Sequence, residues 1–498
     1  MNNIESLKSY FSSEIVLILG LVVLIFLSLR RGHSDHKSMS PASSVVSVVT
    51  LFLAITAALS VNFTESQPLF HGMIALDPFG QFFKILIMGT TLVTVVFCTC
   101  SRDLENTPGP EFMAFLMALC LGLNVMCVSN NMLMMYLAVE MASLVSYIMA
   151  GYMTENKRSE EAGLKYVLYG GLASGVMIFG MSLLYGLTGS LDLVSIRQVV
   201  INNPPDQLIL FLTFIMILTG LGYKMAIAPF HMWSPDVYEG APLPVTAFLS
   251  VASKAAGFAL TLRFLFVAFV ATEVEGTWSA VSAIDWQMLV AVLSAVTMTV
   301  GNVLALQQLN IKRFLAYSSI AHAGYMLMAV AAQSGGGLEG VVFYFMVYFL
   351  MNLGAFLVAG VILNQRHTED MRDYKGLVRQ GASGLFLALT LSVFLFSLTG
   401  IPPFAGFIGK WYVFKAVINA GLLWLAVIGA LNSVISLYFY VRLIKFMLVD
   451  SAEKNDTIER VPLRFASLIS IFAALTLVFG LYFAPLVKWT QASVVMFR

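Results

Sequence analysis

The sequence predicts an all-α polytopic membrane protein of about fourteen transmembrane helices, and three observations carry that prediction. Of 498 residues, 59% are apolar and only 11% are charged, where an ordinary soluble domain carries about 25% charge. Apolar runs of the roughly 20 residues that a bilayer crossing needs recur along the whole chain. The basic residues between those runs are abundant in alternate loops and scarce in the others, as in a chain threading back and forth through a membrane. A large soluble core does not explain so many separate apolar stretches with so few charges between them.

In chain order the spans fall near 14–29, 43–60, 78–99, 110–128, 131–152, 162–187, 206–239, 241–271, 285–307, 311–331, 338–363, 382–418, 421–448 and 464–487. The first is short and ends at Arg30 and Arg31. It resembles a signal-peptide core, but Glu5 and Glu14 precede it with only Lys8 as a base, and no small-residue cleavage site follows, so a retained span is expected. With the N-terminus outside, the inner loops hold seventeen basic residues: Arg30, Arg31, Lys37, Arg102, Lys157, Arg158, Lys312, Arg313, Arg366, Arg372, Lys375, Arg379, Arg442, Lys445, Lys454, Arg460 and Arg464. The outer side holds four: Lys8, Arg197, Lys488 and Arg498. The excess of positive charge inside sets the direction and places both termini outside. The outer acids Glu65, Asp192, Glu273, Glu275 and Asp285 count little for orientation.

Composition also excludes functions. A net charge of +1 offers no electrostatic case for nucleic acid. Cys98, Cys100, Cys120 and Cys127 form no CxxC pair, so a disulfide framework and a zinc site are both poor readings. No GxGxxG stands between a strand and a helix, and no GxxxxGK[ST] occurs. Gly335-Gly336-Gly337 reads as a flexible outer loop. Asn62-Phe-Thr64 matches an N-glycosylation pattern and decides nothing by itself. The longest inner connections, near 364–381 and 449–463, are too short for a folded redox domain.

Seven basic residues remain inside spans: Lys84, Lys165, Lys224, Lys254, Arg263, Lys410 and Lys415. Lys84, Arg263 and Lys415 lie toward span ends and are expected to snorkel to the interface. Glu140 is the one acid read as deep in a span, and its short stem cannot snorkel far. Lys254 is near mid-span with a small-residue collar of Ser250, Ser253, Ala255, Ala256 and Gly257. Charged groups at such depth cost about 2.5–3.5 kcal/mol on insertion scales and commonly mark an ion or proton route. The alternative for Glu140 and Lys254 is a static buried ion pair.

Two segments are too long for one straight crossing. The stretch 206–239 contains Pro229 and Pro235, and 382–418 contains Gly400, Pro402, Pro403 and Gly406. Proline removes a backbone donor and clashes with the preceding turn, so helices 7 and 12 are expected to be discontinuous. Lys224 precedes the first break, His231 follows it, and Lys410 follows the second. Breaks five helices apart predict two inverted-topology five-helix repeats, helices 4–8 and 9–13. The expected division is 1–109, a three-helix segment; 110–271, the first repeat; 272–448, the second repeat; and 449–498, the last loop and helix. The tenth span adds Ser318, Ser319, His322 and Tyr325; the eleventh, Tyr344, Tyr348 and Asn352; the thirteenth, Asn432, Ser433 and Tyr440. His322 is equally a core histidine or a relay member on these grounds.

The block KMAIAPFHMWSPDVYEGAPLPVTAFLSVASKAAGFA (224–259), with IKRFLAYSSIAHAGYML (311–327) and LTGIPPFAGFIGKW (398–411), is similar to the subunit N, or subunit 2, family of antiporter-like subunits of proton-pumping NADH–quinone oxidoreductase, respiratory complex I. The resemblance covers about residues 10–490. It implies a Glu140–Lys224 pair in an input half-channel, Lys254 as the central lysine, Lys410 as the output lysine, and Lys165, His231 and His322 as further members of the relay. It implies that the chain holds no cofactor. FMN, iron–sulfur clusters and quinone would belong to partner subunits, alongside other antiporter-like and small membrane subunits and a peripheral redox arm, in a bacterial inner membrane. A subunit of a multisubunit sodium–proton antiporter, and an inert scaffold, are the alternatives.

Overall fold

The structure, a computed structural model, describes residues 10–497 except 31–40, 62, 64, 65, 106, 108, 275, 276, 282, 283 and 452–457. Glu5, Lys8, Arg31, Lys37, Glu65, Glu275, Lys454 and Arg498, and Asn62 and Thr64 of the glycosylation pattern, lie outside the described residues. Among those described, fourteen helices are long and apolar enough to cross a membrane. They are α1 (Ser12–Arg30), α2 (Pro41–Ser60), α3 (Pro78–Cys98), α4 (Gly109–Val128), α5 (Met132–Ala150), α6 (Lys157–Thr188), α7a (Gln207–Met225), α8 (Leu243–Ala268), α9 (Trp286–Ala305), α10 (Ile311–Ala331), α11 (Gly335–Arg366), α12a (Gly381–Thr399), α13 (Leu423–Leu448) and α14 (Leu463–Leu481). Two shorter helices, α7b (Trp233–Gly240) and α12b (Ala405–Asn419), continue the two long segments after their breaks. Helices 7 and 12 are therefore discontinuous, as the prolines require.

Helix starts follow from side chains that accept the first free N–H groups. Asn131 accepts from Leu133 N, Asn156 from Arg158 N, and Asn310 from Lys312 N and Arg313 N. The core sits where helices are apolar all round: α8 and α10 are buried on every side, while α1 and α14 expose most of their surface. Small residues bring α9 against α10. A Cβ on Gly301 would lie 2.5 Å from Ala321 N, and one on Gly324 would lie 2.6 Å from Met298 N.

The connections sort into two faces. On one, Ile74 bridges Ser129 and Asn131 bridges Asp192. Arg197 donates to Ala271 O and Trp278 N to Gln333 O. Tyr10 stacks on Phe63, and Phe497 meets Phe79 and Phe266, so the described residues begin and end on this face. On the other face, Arg102 meets His367, Leu243 N donates to Asp103, Lys312 pairs with Glu369, and Arg442 donates to Leu306 O. Loops of one parity contact only loops of the same parity in these pairs, as an even number of crossings dictates. Two short hairpins, β1 (Gln67–Leu69) with β2 (Ile74–Leu76) and β3 (Val270–Val274) with β4 (Thr277–Ala280), decorate the face that holds the termini.

Several expectations are corrected. Gly335–Gly337 open α11 rather than forming a loop. Ser334 caps that helix by accepting from Gly337 N, and a Cβ at Gly337 would meet Ala329 O at 2.4 Å. Lys84 and Arg263 do not snorkel. Lys84 Nζ lies 2.6 Å from Glu14 of α1, and Arg263 Nη2 lies 2.7 Å from Asp77, with both carboxylates fully buried. Arg263 also donates to Cys127 O at 2.6 Å and lies against the Phe79 ring. A basic group enclosed this way has no path to the surface, and a carboxylate already in the interior satisfies it. Glu140 is thus not the one buried acid. Lys415 is exposed, as snorkelling needs. Helix α6 starts at Lys157, earlier than expected, and the last span ends at Leu481, followed by a short helix, Ala484–Ser493.

Candidate functional site

The breaks position the lysines. Helix α7a ends with Ala226 in the left-handed region, where Ala226 N donates to Tyr223 O and Ile227 N to Gly222 O. The groups freed beyond it are served by side chains: Ala228 N donates to Thr297 Oγ1 of α9 at 3.1 Å, and the Trp233 indole to Tyr223 O at 3.0 Å. Lys224, in the last turn of α7a, is 2% exposed and donates to Ser143 Oγ of α5 at 3.1 Å. Helix α12a ends at Gly400, whose φ of +86° favours glycine. A Cβ there would also sit 2.7 Å from Lys410 Cδ, so the glycine lets the lysine stem pass. Lys410 Nζ then donates to Thr399 O of the broken end (2.8 Å) and to Ser433 Oγ (3.1 Å), above the Tyr325 ring. Lys410 thus satisfies a carbonyl freed at the second break.

Between the breaks lies Lys254. A π-helical turn, Leu249–Ser253, directly precedes it in α8, and such turns re-aim the residues that follow. Its Nζ donates to Ser319 Oγ of α10 at 2.8 Å. Asn352 of α11 braces the turn by donating to Ser250 Oγ at 2.7 Å. One turn beyond Ser319, His322 contacts Tyr344 (Nδ1 to the hydroxyl, 2.7 Å) and Tyr440 (Nε2, 3.3 Å), and Tyr440 meets Ser318 at 2.5 Å. Tyr325 meets Ser433 at 3.0 Å, and Ser433 accepts from Lys410. Lys254, His322 and Lys410 therefore lie in one buried polar row. His231, in the first break, is buried too, and its Nδ1 has no protein hydrogen-bond partner. The Asn352 Oδ1 is buried and equally unpartnered, and the hydroxyls of Tyr166, Tyr238, Tyr348 and Ser253 are buried without a hydrogen bond of good geometry. Leaving such groups dry costs about 1–3 kcal/mol each, so water suits this row better than a sealed core does.

Glu140 and Lys165 stand apart from the row. Glu140 is half-buried, at the edge of an outward face of α5 made by Leu137, Met141 and Leu144. It makes no direct ion pair with Lys224 among the described residues; Ser143, one turn along, is the direct contact. Lys165 is 35% exposed and pairs with Glu161 and Asp236 at 2.7 and 2.6 Å. It belongs to a charged cluster on the face opposite the termini, with Arg313 held by Asp236 and Glu239, and it lines a cavity of about 220 Å³ there. Ser143, Tyr147, Tyr166 and Tyr223 were not singled out from the sequence. A signal existed: Glu140, Ser143 and Tyr147 recur at helical spacing and mark a polar stripe along α5. Among the described residues no group of three or more His, Cys, Asp or Glu is placed to hold a metal ion.

The family model described as "NADH:quinone oxidoreductase/Mrp antiporter, TM" matches residues 129–436, more than half of the chain. The chain belongs to this family. The matched stretch contains both broken helices and all seven candidate residues, and leaves out α1–α4 and α14. Within the family the chain is similar to the NADH-quinone oxidoreductase subunit N of Anaeromyxobacter sp. (strain Fw109-5), with 42% identity covering 99% of this chain and 98% of that one. It is also similar to a chain of the respiratory complex I of Thermus thermophilus with bound aureothin, with 30% identity and a TM-score of 0.79 over 96% of this chain and 99% of that one. A chain of the Mrp complex of Dietzia sp. DQ12-45-1b, 19% identical with a TM-score of 0.83 over 100% of this chain and 98% of that one, shares the fold.

Proposed function

We propose that this chain is an antiporter-like membrane-arm subunit of a proton-pumping NADH–quinone oxidoreductase, passing protons through the buried row while partner subunits carry out the redox chemistry. The observation that carries the reading is the placement of Lys224, Lys254, His322 and Lys410 at or between two broken helices, each in contact with a serine or tyrosine hydroxyl. Lysine and hydroxyl groups accept and return protons, and broken helices admit water beside them. Glu140 acts on Lys224 across the Ser143 turn, and Lys165 belongs to the entry face. FMN, iron–sulfur clusters and quinone are assigned to the partners. Helices α4–α8 (110–271) and α9–α13 (272–448) are the two inverted repeats, flanked by 1–109 and 449–498. The 42% identity to a subunit N over nearly the whole chain favours this reading over a sodium–proton antiporter, for which the 19% likeness supports the fold alone.

The test is purification in mild detergent followed by proton uptake in vesicles. The assembled complex is expected to contain flavin and iron–sulfur partners and to take up protons during quinone reduction. Glu140→Gln, which keeps shape and loses charge, is expected to lower uptake about tenfold. A complex without redox partners, or normal uptake per electron in the variant, counts against the reading.

The membrane is taken to be the bacterial inner membrane, with the face that holds both termini outside. A cysteine introduced at Lys375 should react with an impermeant reagent only after the cells are opened. Reaction in sealed cells reverses the orientation.

A further inference from the structure

Three tyrosine hydroxyls gather in the first half of the molecule, where the proposed row is otherwise interrupted. Lys224 reaches Ser143, and Lys254 reaches Ser319, but no direct contact joins the two lysines. Beside the first break stands Tyr166 of α6. Its ring is fully buried, stacked on Trp233 at 4.4 Å between centroids and set edge-on to Tyr147 at 4.8 Å. Its backbone carbonyl accepts from the Tyr223 hydroxyl at 3.0 Å. Its own hydroxyl is buried beside the hydroxyls of Ser146 and Ser253. Ser253 is the residue before Lys254, at the end of the π turn, and its hydroxyl is buried too.

One turn along α6, Gly170 makes the room. A Cβ there would fall 1.8 Å from the Tyr147 hydroxyl and 2.7 Å from that of Tyr223, so these two groups occupy the space that a side chain would take. Tyr147 in turn faces Ser143, the partner of Lys224. These contacts gather Ser143, Tyr147, Tyr166 and Ser253 beside the segments that carry Lys224 and Lys254. Phenylalanine would pack against Trp233 as well as Tyr166 does, because the stacking uses the ring alone. Packing therefore does not account for the hydroxyl.

We infer that Tyr166 is a further proton-relay residue, the bridging hydroxyl that joins the Lys224 and Lys254 sides of the row through Tyr147 and Ser253. The inference rests on the translocation reading above. A hydroxyl both accepts and donates, so each group takes a proton on its oxygen and passes its own forward. The Lys224 ammonium loses one proton, the Lys254 amine gains one, and every hydroxyl between them ends with the proton it needs. No tyrosinate forms. A water molecule beside Tyr166, or a small rotation of Ser253, closes the remaining gap.

The experiment compares Tyr166→Phe, Ser253→Ala and Lys254→Met in the assembled complex reconstituted into vesicles. Proton uptake is normalised to assembled complex and to electrons transferred. Tyr166→Phe keeps the ring and its stacking and is expected to lower uptake about five- to tenfold, the size of one net hydrogen-bonding contribution. Ser253→Ala changes volume little and is expected to do the same. Normal uptake in both, with Lys254→Met impaired, overturns the Tyr166 bridge and leaves the translocation reading standing. Normal uptake in all three overturns both. If Tyr166→Phe does not assemble, Ser253→Ala decides alone: impairment supports the bridge, and normal uptake overturns it.

Discussion

Lys254→Met is expected to leave the complex assembled and to lower proton uptake per electron at least about tenfold, with the quinone reductase rate falling alongside it. The structure explains both halves of that outcome. Lys254 is 2% exposed, and its Nζ has one direct partner, Ser319 Oγ. It joins no ion pair among the described residues, so its removal strands no opposite charge. Methionine keeps the length of the stem and much of the packing, and replacing a buried amine by an apolar group removes a desolvation cost. Stability should be unchanged or slightly higher. The titrating group is lost beside Ser319, one turn from His322. Coupled turnover slows because electrons cannot pass while protons are held back. The measurement is acidification of the vesicle lumen set against quinone reduction, with assembly followed on native gels. An inert scaffold predicts the reverse: lost assembly, with normal protons per electron in whatever assembles.

Asp77→Ala is expected to show that reverse pattern. Asp77 and Arg263 are both fully buried, and their pair joins the start of α3 to the end of α8. Asp77 also caps α3 by accepting from Gly80 N at 2.7 Å. Its loss leaves the buried Arg263 guanidinium without a carboxylate among the described residues, beside Cys127 O, the Phe79 ring and the Met496 sulfur. Breaking a buried pair in this way costs about 3–5 kcal/mol, and the lost cap adds about 1 kcal/mol. Assembled complex should become scarce and melt at a lower temperature in detergent. The protons per electron of the remaining fraction should be normal. Removing both charges with Asp77→Asn and Arg263→Leu is expected to restore much of the yield, because no charge then stays unpaired. A stable Asp77→Ala complex with impaired uptake would instead place this pair in the relay.

The contrast between these two sites shows where sequence suffices. Fourteen spans were legible because the free energy of crossing a bilayer sums over consecutive residues, and the loop charges that orient them are local too. The breaks in helices 7 and 12 were legible because a proline acts on its own backbone: Pro229 and Pro402-Pro403 stand where the helices stop. Lys224, Lys254 and Lys410 were picked out because a lysine far from a span end is costly wherever its neighbours lie. The choice of partner was not legible. Arg263 finds a carboxylate 186 residues away, and Lys84 meets a glutamate on α1. By position both resembled snorkelling residues. Ser143, not Glu140, proved to be the direct partner of Lys224. Nothing in the sequence sets Tyr166 apart from other span aromatics, because its neighbours Tyr147, Trp233 and Ser253 come from other helices. Depth in the membrane is a property of one segment and is written in its residues. Pairing is a property of the packed bundle, set by which helices touch, and only the tertiary structure decides it.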